Sequence, residues 1–237
     1  MRNGFQVLAC VGAFSILADS TVFAAPPAPA NGDADAKIIE TVRPQFPMTL
    51  QRQGVASGEV SLLLEVDPKG HLGDCLVTAY SHVEFSHEAL RVAHAWKFVP
   101  ARIAGQPVTA VLPVTIAFET NGMLTRVKQF DEPSRRERRL EYQAWNSQEL
   151  DAPPKILWTV SPQYPEQLGQ QGITGRVTLD FYVDETGRVR FPQARPPANP
   201  QLAALAIKAV KVWAFDPPIR HGIPVLARAS TSFLFEP

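Results

Sequence analysis

The chain has 237 residues with Lys+Arg 23 against Asp+Glu 23, so it lacks the basic excess expected of a nucleic-acid or anionic-membrane binder. The length allows one large or two small domains, each able to bury a modest core. Small molecules, proteins and envelope polymers remain as partners, and 22 prolines imply frequent changes of chain direction.

Residues 1–24 carry the pattern of a secretory signal. Arg2 supplies the positive end, residues 7–17 an apolar run, and Val22, Phe23 and Ala24 the small or aliphatic positions ahead of Ala25. The run is short for a membrane span. An uncleaved anchor is the alternative, because Asp19 is the only charge between Arg2 and Asp33. Lipidation at Cys10 would leave almost no apolar region in front of it. Cleavage removes Cys10, so Cys75 has no intramolecular disulfide partner, and its apolar setting "LGDCLV" is that of a buried, inert thiol. Residues 25–37, with "APPAPA", make a Pro/Ala-rich linker that spans about 40 Å at about 3.1 Å per residue.

The first unit is expected over 38–120. Phe46 marks a helix entrance, Pro47 its first residue, and Gly54 the left-handed position that ends it. Val60, Leu62, Leu64 and Val66 alternate as a half-buried strand does. "DPKG" at 67–70 is hairpin-turn chemistry, with the strand returning afterwards. Phe85, Ala89, Val92 and Trp96 then step by four, three and four along one helix face, with Ser86 as the expected N-cap. "WKFVP" leads out of the helix to a last strand over 108–118.

Residues 121–153 are a charged connector. Arg135, Arg136, Arg138 and Arg139 are interleaved with Glu132, Glu137 and Glu141 at helical spacing, which predicts a solvated and partly helical segment. A phosphate-binding or lipid-headgroup patch is the competing interpretation.

The second unit, expected over 154–237, repeats the first. Tyr164-Pro165 answers Phe46-Pro47, and Gly172 answers Gly54; after one extra residue in the first copy, Gly175, Asp184, Gly187, Trp213, Phe215, Pro217 and Phe235 answer Gly58, Asp67, Gly70, Trp96, Phe98, Pro100 and Phe118. One gap across so many positions means a duplicated domain. The strand 177–183 places Arg176, Thr178, Asp180 and Tyr182 on its other, polar face. Leu202, Ala206, Ala209 and Trp213 form the helix stripe, and 225–235 the last strand. The predicted fold class is α+β: two repeated small domains, each a three-stranded antiparallel sheet packed with helices.

No set of residues forms a catalytic constellation. His71, His82, His87 and His94 lack the i, i+4 pairing of a helical metal site, and His221 lies in a loop. "SHEAL" has Arg91 where a zinc-protease helix would place its second histidine, and no G-x-S-x-G occurs. Asp67 and Asp184 are explained by turns. Neither an enzyme activity, a metal nor a cofactor is expected.

The ordered string "QYP", "GITGRVTLDFYVDETGRV", "AVKVWAFDP" and "GIPV" resembles the carboxy-terminal domain of TonB, the periplasmic energy-transducer module. The resemblance covers each repeat nearly end to end. Copy two is the closer match, since copy one has Phe46 for the tyrosine and an extra residue at 56–57. It implies a domain that binds extended segments of outer-membrane transporters by adding them as a strand to its sheet edge. Carried over residue by residue, Ser161, Pro162 and Gln163 ahead of Tyr164 would touch the partner in copy two, and Arg43, Pro44 and Gln45 in copy one. The implied receiving edges are 225–233, opening with Val225, Leu226, Ala227 and Arg228, and 108–116, opening with Val108. Strand addition draws its affinity from backbone groups, so no particular side chain is demanded.

The expected partners are therefore segments of outer-membrane transporters or other envelope proteins, with the protein itself in the periplasm. The short linker and cleavable leader depart from a full transducer. A membrane-anchored transducer is one alternative; self-association into a homodimer or scaffold through the same edges is another.

Overall fold

The computed structural model describes residues 34–120, 127–129 (backbone only) and 140–236. The expected signal segment, the front of the linker and the arginine cluster 135–139 lie outside the described residues. Those described divide into two compact units, 34–143 and 144–236.

In the first unit, β1 (Lys37–Glu40) pairs antiparallel with the later β4, so part of the expected linker is folded into the domain. The chain then reaches Pro47, whose extended ψ of 123° makes it an N-cap, so α1 (Met48–Arg52) starts one residue later than expected. Gly54 has φ +78°, the left-handed value required to leave the helix. β2 (Ser57–Val66) and β3 (Leu72–Tyr80) are joined by the Asp67 turn, in which the Asp67 carboxylate accepts from Lys69 N and His71 N, both at 2.8 Å.

The main helix, α2 (Val83–Ala93), is capped at His82 rather than at Ser86. Ser86 is buried one turn inside, and its hydroxyl donates back to the Val83 carbonyl at 2.7 Å, which is how a serine inside a helix satisfies itself. Next come β4 (Lys97–Val99), the hairpin β5 (Ala101–Ile103) and β6 (Gln106–Val108), and the long β7 (Ala110–Glu119). The last strand therefore begins at Ala110; Val108 belongs to the hairpin and pairs with Ala101. β8 (Val127–Gln129) and β9 (Tyr142–Gln143) complete the sheet in the order β8-β7-β2-β3-β9.

The expected three-stranded antiparallel sheet is its centre, and the connector adds a short strand at each side. The core lies between sheet and helix. Val60, Leu62, Leu64 and Val66 of β2 meet Phe85, Ala89 and Val92 of α2, with Leu112, Val114, Ile116 and Phe118 from β7. Burying each large apolar side chain contributes about 1.5–3 kcal/mol. Gly58 is required by this packing, because a Cβ there would run into the Phe85 ring. Cys75, partly buried in β3, packs against the same core.

The second unit opens with β10 (Trp145–Asn146) and a 3-10 turn (Ser147–Glu149) closed by a capping box, then β11 (Ile156–Trp158). Strand and turn thus occupy the described part of the expected connector helix. Pro165, with ψ 136°, caps α3 (Glu166–Gln170), and Gly172 leaves it at φ +69°. β12 (Gly175–Val183) and β13 (Val189–Ala194) follow. Then come α4 (Pro200–Val210), β14 (Ala214–Phe215), the hairpin β15 (Ile219–Arg220) and β16 (Ile223–Pro224), and β17 (Ala227–Phe235).

The sheet order is β10-β17-β12-β13, and β11 pairs with β14 as β1 does with β4. Asn199 caps α4 through its side chain, accepting from Gln201 N and Leu202 N, with Pro200 in the first turn. Val177, Leu179, Phe181 and Val183 meet Leu202, Ala206, Val210, Trp213, Phe215, Phe233 and Phe235. Tyr182, expected on a wet face, is 3% exposed. Among the described residues, no helix is long and apolar enough to cross a membrane.

Candidate functional site

The tryptophan that ends each helix stripe holds the segment in front of the aromatic-proline step. Trp213 Nε1 donates to the Val160 carbonyl at 2.9 Å, and Trp96 Nε1 to the Val42 carbonyl at 3.2 Å. Downstream of Val160, Ser161 and Gln163 are exposed and Pro162 is buried. The Tyr164 hydroxyl donates to the Ile173 carbonyl at 2.9 Å, and its ring lies 5.8 Å from that of Phe235. In the first unit Phe46 has no hydroxyl to give and packs edge-on against Phe85 at 5.2 Å. Arg43 is exposed, and Gln45 N donates to the Glu88 carboxylate at 2.5 Å. Arg91, paired with Glu88, holds that carboxyl below its ordinary range against the opposing effect of burial.

The last strand of the second unit carries the other predicted contacts. Val225 precedes β17 and donates to the Pro218 carbonyl at 2.8 Å, and the buried Leu226 accepts from Trp145 N at 2.9 Å. Ala227 and Arg228 pair in parallel with Trp145 and Asn146. Three of the four residues expected to open the receiving edge, Leu226, Ala227 and Arg228, are therefore covered by the chain's own β10, and Val225 is held by Pro218. The Arg220 guanidinium lies 3.7 Å above the Trp145 ring, which holds this cover in place. Burial raises the Tyr182 phenol, and the neighbouring Arg228 opposes that shift.

Past Arg228, no described strand lies on the outer side of β17. The stretch 231–235 ends at Phe235, whose buried ring lies 5.8 Å from that of Tyr164. Thr178 and Ser232 share a side-chain hydrogen bond of 2.9 Å on its exposed face. The opposite sheet edge, β13, is poorly suited to pairing. Pro192 lacks an N–H, Phe191 sits at φ +50°, and the β12–β13 register shifts between Asp180 and Tyr182.

A second clamp holds the β15–β16 hairpin from the connector. Asp151 N donates to the Ile219 carbonyl at 2.9 Å, and its carboxylate accepts from His221 N and Gly222 N at 2.8 and 2.9 Å. These bonds, led by that from Gly222, lower the Asp151 carboxyl from its ordinary value. In the first unit Ala34 does the same for the equivalent hairpin through a two-way backbone bridge with Arg102. Both hairpins close through a residue-glycine pair at positive φ, Ala104-Gly105 and His221-Gly222. That pair is a sequence signal for a two-residue turn.

Beside the same segment lies an exposed apolar strand. Ile156, Leu157 and Trp158 are 38%, 62% and 62% exposed. Their exposure follows from β11 pairing, among the described strands, with β14 alone, and no periodic pattern carries that. Among the described residues, no three His, Cys, Asp or Glu side chains are grouped to hold a metal ion.

Two copies of one α+β module, each a three-stranded antiparallel sheet backed by a helix, make this a tandem-domain protein of the two-layer sandwich class. The family model described as "Gram-negative bacterial TonB protein C-terminal" matches it at 42–120 and again at 160–237, and the chain belongs to that family. Protein TonB of Vibrio cholerae serotype O1 is 28% identical over 88 residues, which is 37% of this chain and 36% of that protein. The chain thus spans little more than a third of this relative. It is a TonB-like protein of the cell envelope.

Proposed function

We propose that this protein is a non-enzymatic binding protein of the periplasm that takes up an extended segment of an outer-membrane transporter, or of another envelope protein, as an added strand on residues 231–235 of β17. The observation that carries this is the stretch 231–235 of β17, whose outer side no described strand covers, with Trp213 holding the segment ahead of Tyr164. An edge strand in register with a packed sheet presents backbone donors and acceptors at fixed spacing, and an incoming strand satisfies them without reorganising the domain. Ser161, Pro162 and Gln163, which precede the Tyr164 whose ring lies against Phe235, would contact the residue entering or leaving that edge. Membership of the family supports the choice of partner. The pattern of residues 1–24 supports the compartment.

A photoreactive residue at Ser232, in the full chain expressed in a Gram-negative host, tests the reading. The expected product is a crosslink to an extended segment of an outer-membrane protein, lost when Thr231 or Phe233 is replaced by proline. Capture of another copy of this chain alone replaces strand addition to a partner by self-association. Mass spectrometry of the mature chain is expected to find Ala25 at its start in the periplasmic fraction. An intact Met1 in membranes would overturn the periplasmic assignment in favour of an anchored transducer.

A further inference from the structure

The two last strands are equivalent in sequence and in pairing, but their outer edges are not in the same state. β7 pairs along its whole length with β2, and β17 with β12. On its other side β7 carries β8, antiparallel, in the register Val114↔Gln129, Thr115↔Lys128 and Ile116↔Val127. The repeat places Thr231, Ser232 and Phe233 at the positions of Val114, Thr115 and Ile116, and there no described strand is paired. β8 thus displays, on the first unit, the geometry that an added strand would adopt on the second.

We infer that residues 127–129 act as an internal ligand: the chain's own connector fills the acceptor edge of the first unit, leaving β17 of the second as the edge available to a partner. This inference rests on the strand-addition reading above. Two further features agree with it. Pro113, next to the β8 register, has no N–H, so a longer added ladder is interrupted on β7, whereas the equivalent position of β17 is not a proline. The connector also supplies β9, which pairs with Ala79 and Tyr80 and stacks Tyr142 on Tyr80 at 5.0 Å, so it occupies both edges of the first sheet.

The energetics favour the tethered strand. β8 starts within eight residues of the end of β7 in sequence, and a segment so tethered faces its edge at an effective concentration on the order of millimolar. A free segment that binds in the range of about 100 µM must then compete against a large excess. Its apparent affinity for the first unit falls about tenfold or more. Displacement of the connector would raise the number of open edges from one to two.

Hydrogen exchange on the full chain tests this without any partner. The backbone amides of 114–116 that face β8 are expected to exchange at least tenfold more slowly than their counterparts in 231–233. Val127→Pro and Lys128→Pro are made separately, because only alternate residues of an antiparallel strand donate across a given ladder. At least one is expected to abolish the difference with the exchange of 60–66 unchanged, which shows that the unit is still folded. Equal exchange in the parent chain, or no response to either proline, overturns the internal ligand. A synthetic peptide of residues 124–132 is the second arm. It is expected to protect 231–233 in the parent chain, and both edges in the responsive proline variant. Protection of both edges in the parent chain removes the proposed competition while leaving strand addition standing. Protection of neither edge, with the exchange difference intact, sinks the strand-addition reading itself.

Discussion

Trp213 donates its indole N–H to the Val160 carbonyl at 2.9 Å, and the same ring packs edge-on against Phe233 at 5.7 Å. One side chain therefore fixes both the segment ahead of Tyr164 and the last strand of the sheet. Trp213→Phe keeps an aromatic in the core and removes the donor. The expected loss of stability is about 0.5–1.5 kcal/mol, the net worth of one hydrogen bond. Urea unfolding measures it, and faster backbone exchange at 160–163 with β12 unchanged assigns it to this bond. Trp96→Phe is expected to act the same way on the first unit, through Val42.

Gly187 and Gly172 both have positive φ, at +83° and +69°, but only one is crowded. A Cβ on Gly187 would run into the Phe215 carbonyl, whereas one on Gly172 meets nothing within 4 Å. Gly172→Ala is expected to cost about 1–2 kcal/mol from the left-handed backbone alone. Gly187→Ala adds an overpacking penalty of about 1–3 kcal/mol. Thermal melts of the two variants should rank them in that order; an equal loss would mean that the turn yields and the carbonyl contact is of no consequence.

The packing frame was legible because it is periodic or local. Phe85, Ala89, Val92 and Trp96 recur along one helix face, and Asp-x-x-Gly closes a turn within four residues, so each announces itself in a short window. The edges were not legible in the same way. β10 pairs two residues with two others far away in the chain, and β1 and β11 are short strands at the front of each expected domain, ahead of the first expected helix. No hydrophobic period marks such pairings, and the backbone bonds that make them are available to any residue but proline. The expected binding positions Val225, Leu226, Ala227 and Arg228 lie at the start of β17, and the cover of Leu226, Ala227 and Arg228 by Trp145 and Asn146 depends on one of these unmarked pairings.

Asp184 links the second hairpin turn to pH. Burial would raise its carboxyl, but the Thr186 hydroxyl, the backbone N–H groups of Arg188 and Thr186 and the Arg190 charge outweigh it, so the folded value lies below 3.8. A depressed folded value means stabilisation that is fully present above the unfolded value and lost as pH falls through the folded one. Asp184→Asn is expected to cost about 1–3 kcal/mol at pH 7, the worth of hydrogen bonds to a charged acceptor. The gap between parent and variant should narrow as the pH drops below about 4. Denaturant melts from pH 7 to pH 2 check this, and a gap constant across that range would assign Asp184 a role in shape alone.

Trp158 separates binding from folding. It is 62% exposed on β11, beside the Val160 carbonyl that Trp213 holds, and it contributes little to either core. A tryptophan left in water two residues ahead of the segment that Trp213 holds has the composition of an interface anchor, whose truncation typically costs 2 kcal/mol or more of binding, about thirtyfold in affinity. Trp158→Ala should leave unfolding free energy within about 0.5 kcal/mol of the parent, as a surface change does. The same variant should weaken crosslinking from Ser232 to the partner segment by about tenfold or more. Leu157, equally exposed on the same strand, provides the control: if Leu157→Ala and Trp158→Ala both leave capture intact, the partner reaches β17 without crossing β11. If both lower stability instead, β11 belongs to the fold and not to the binding surface.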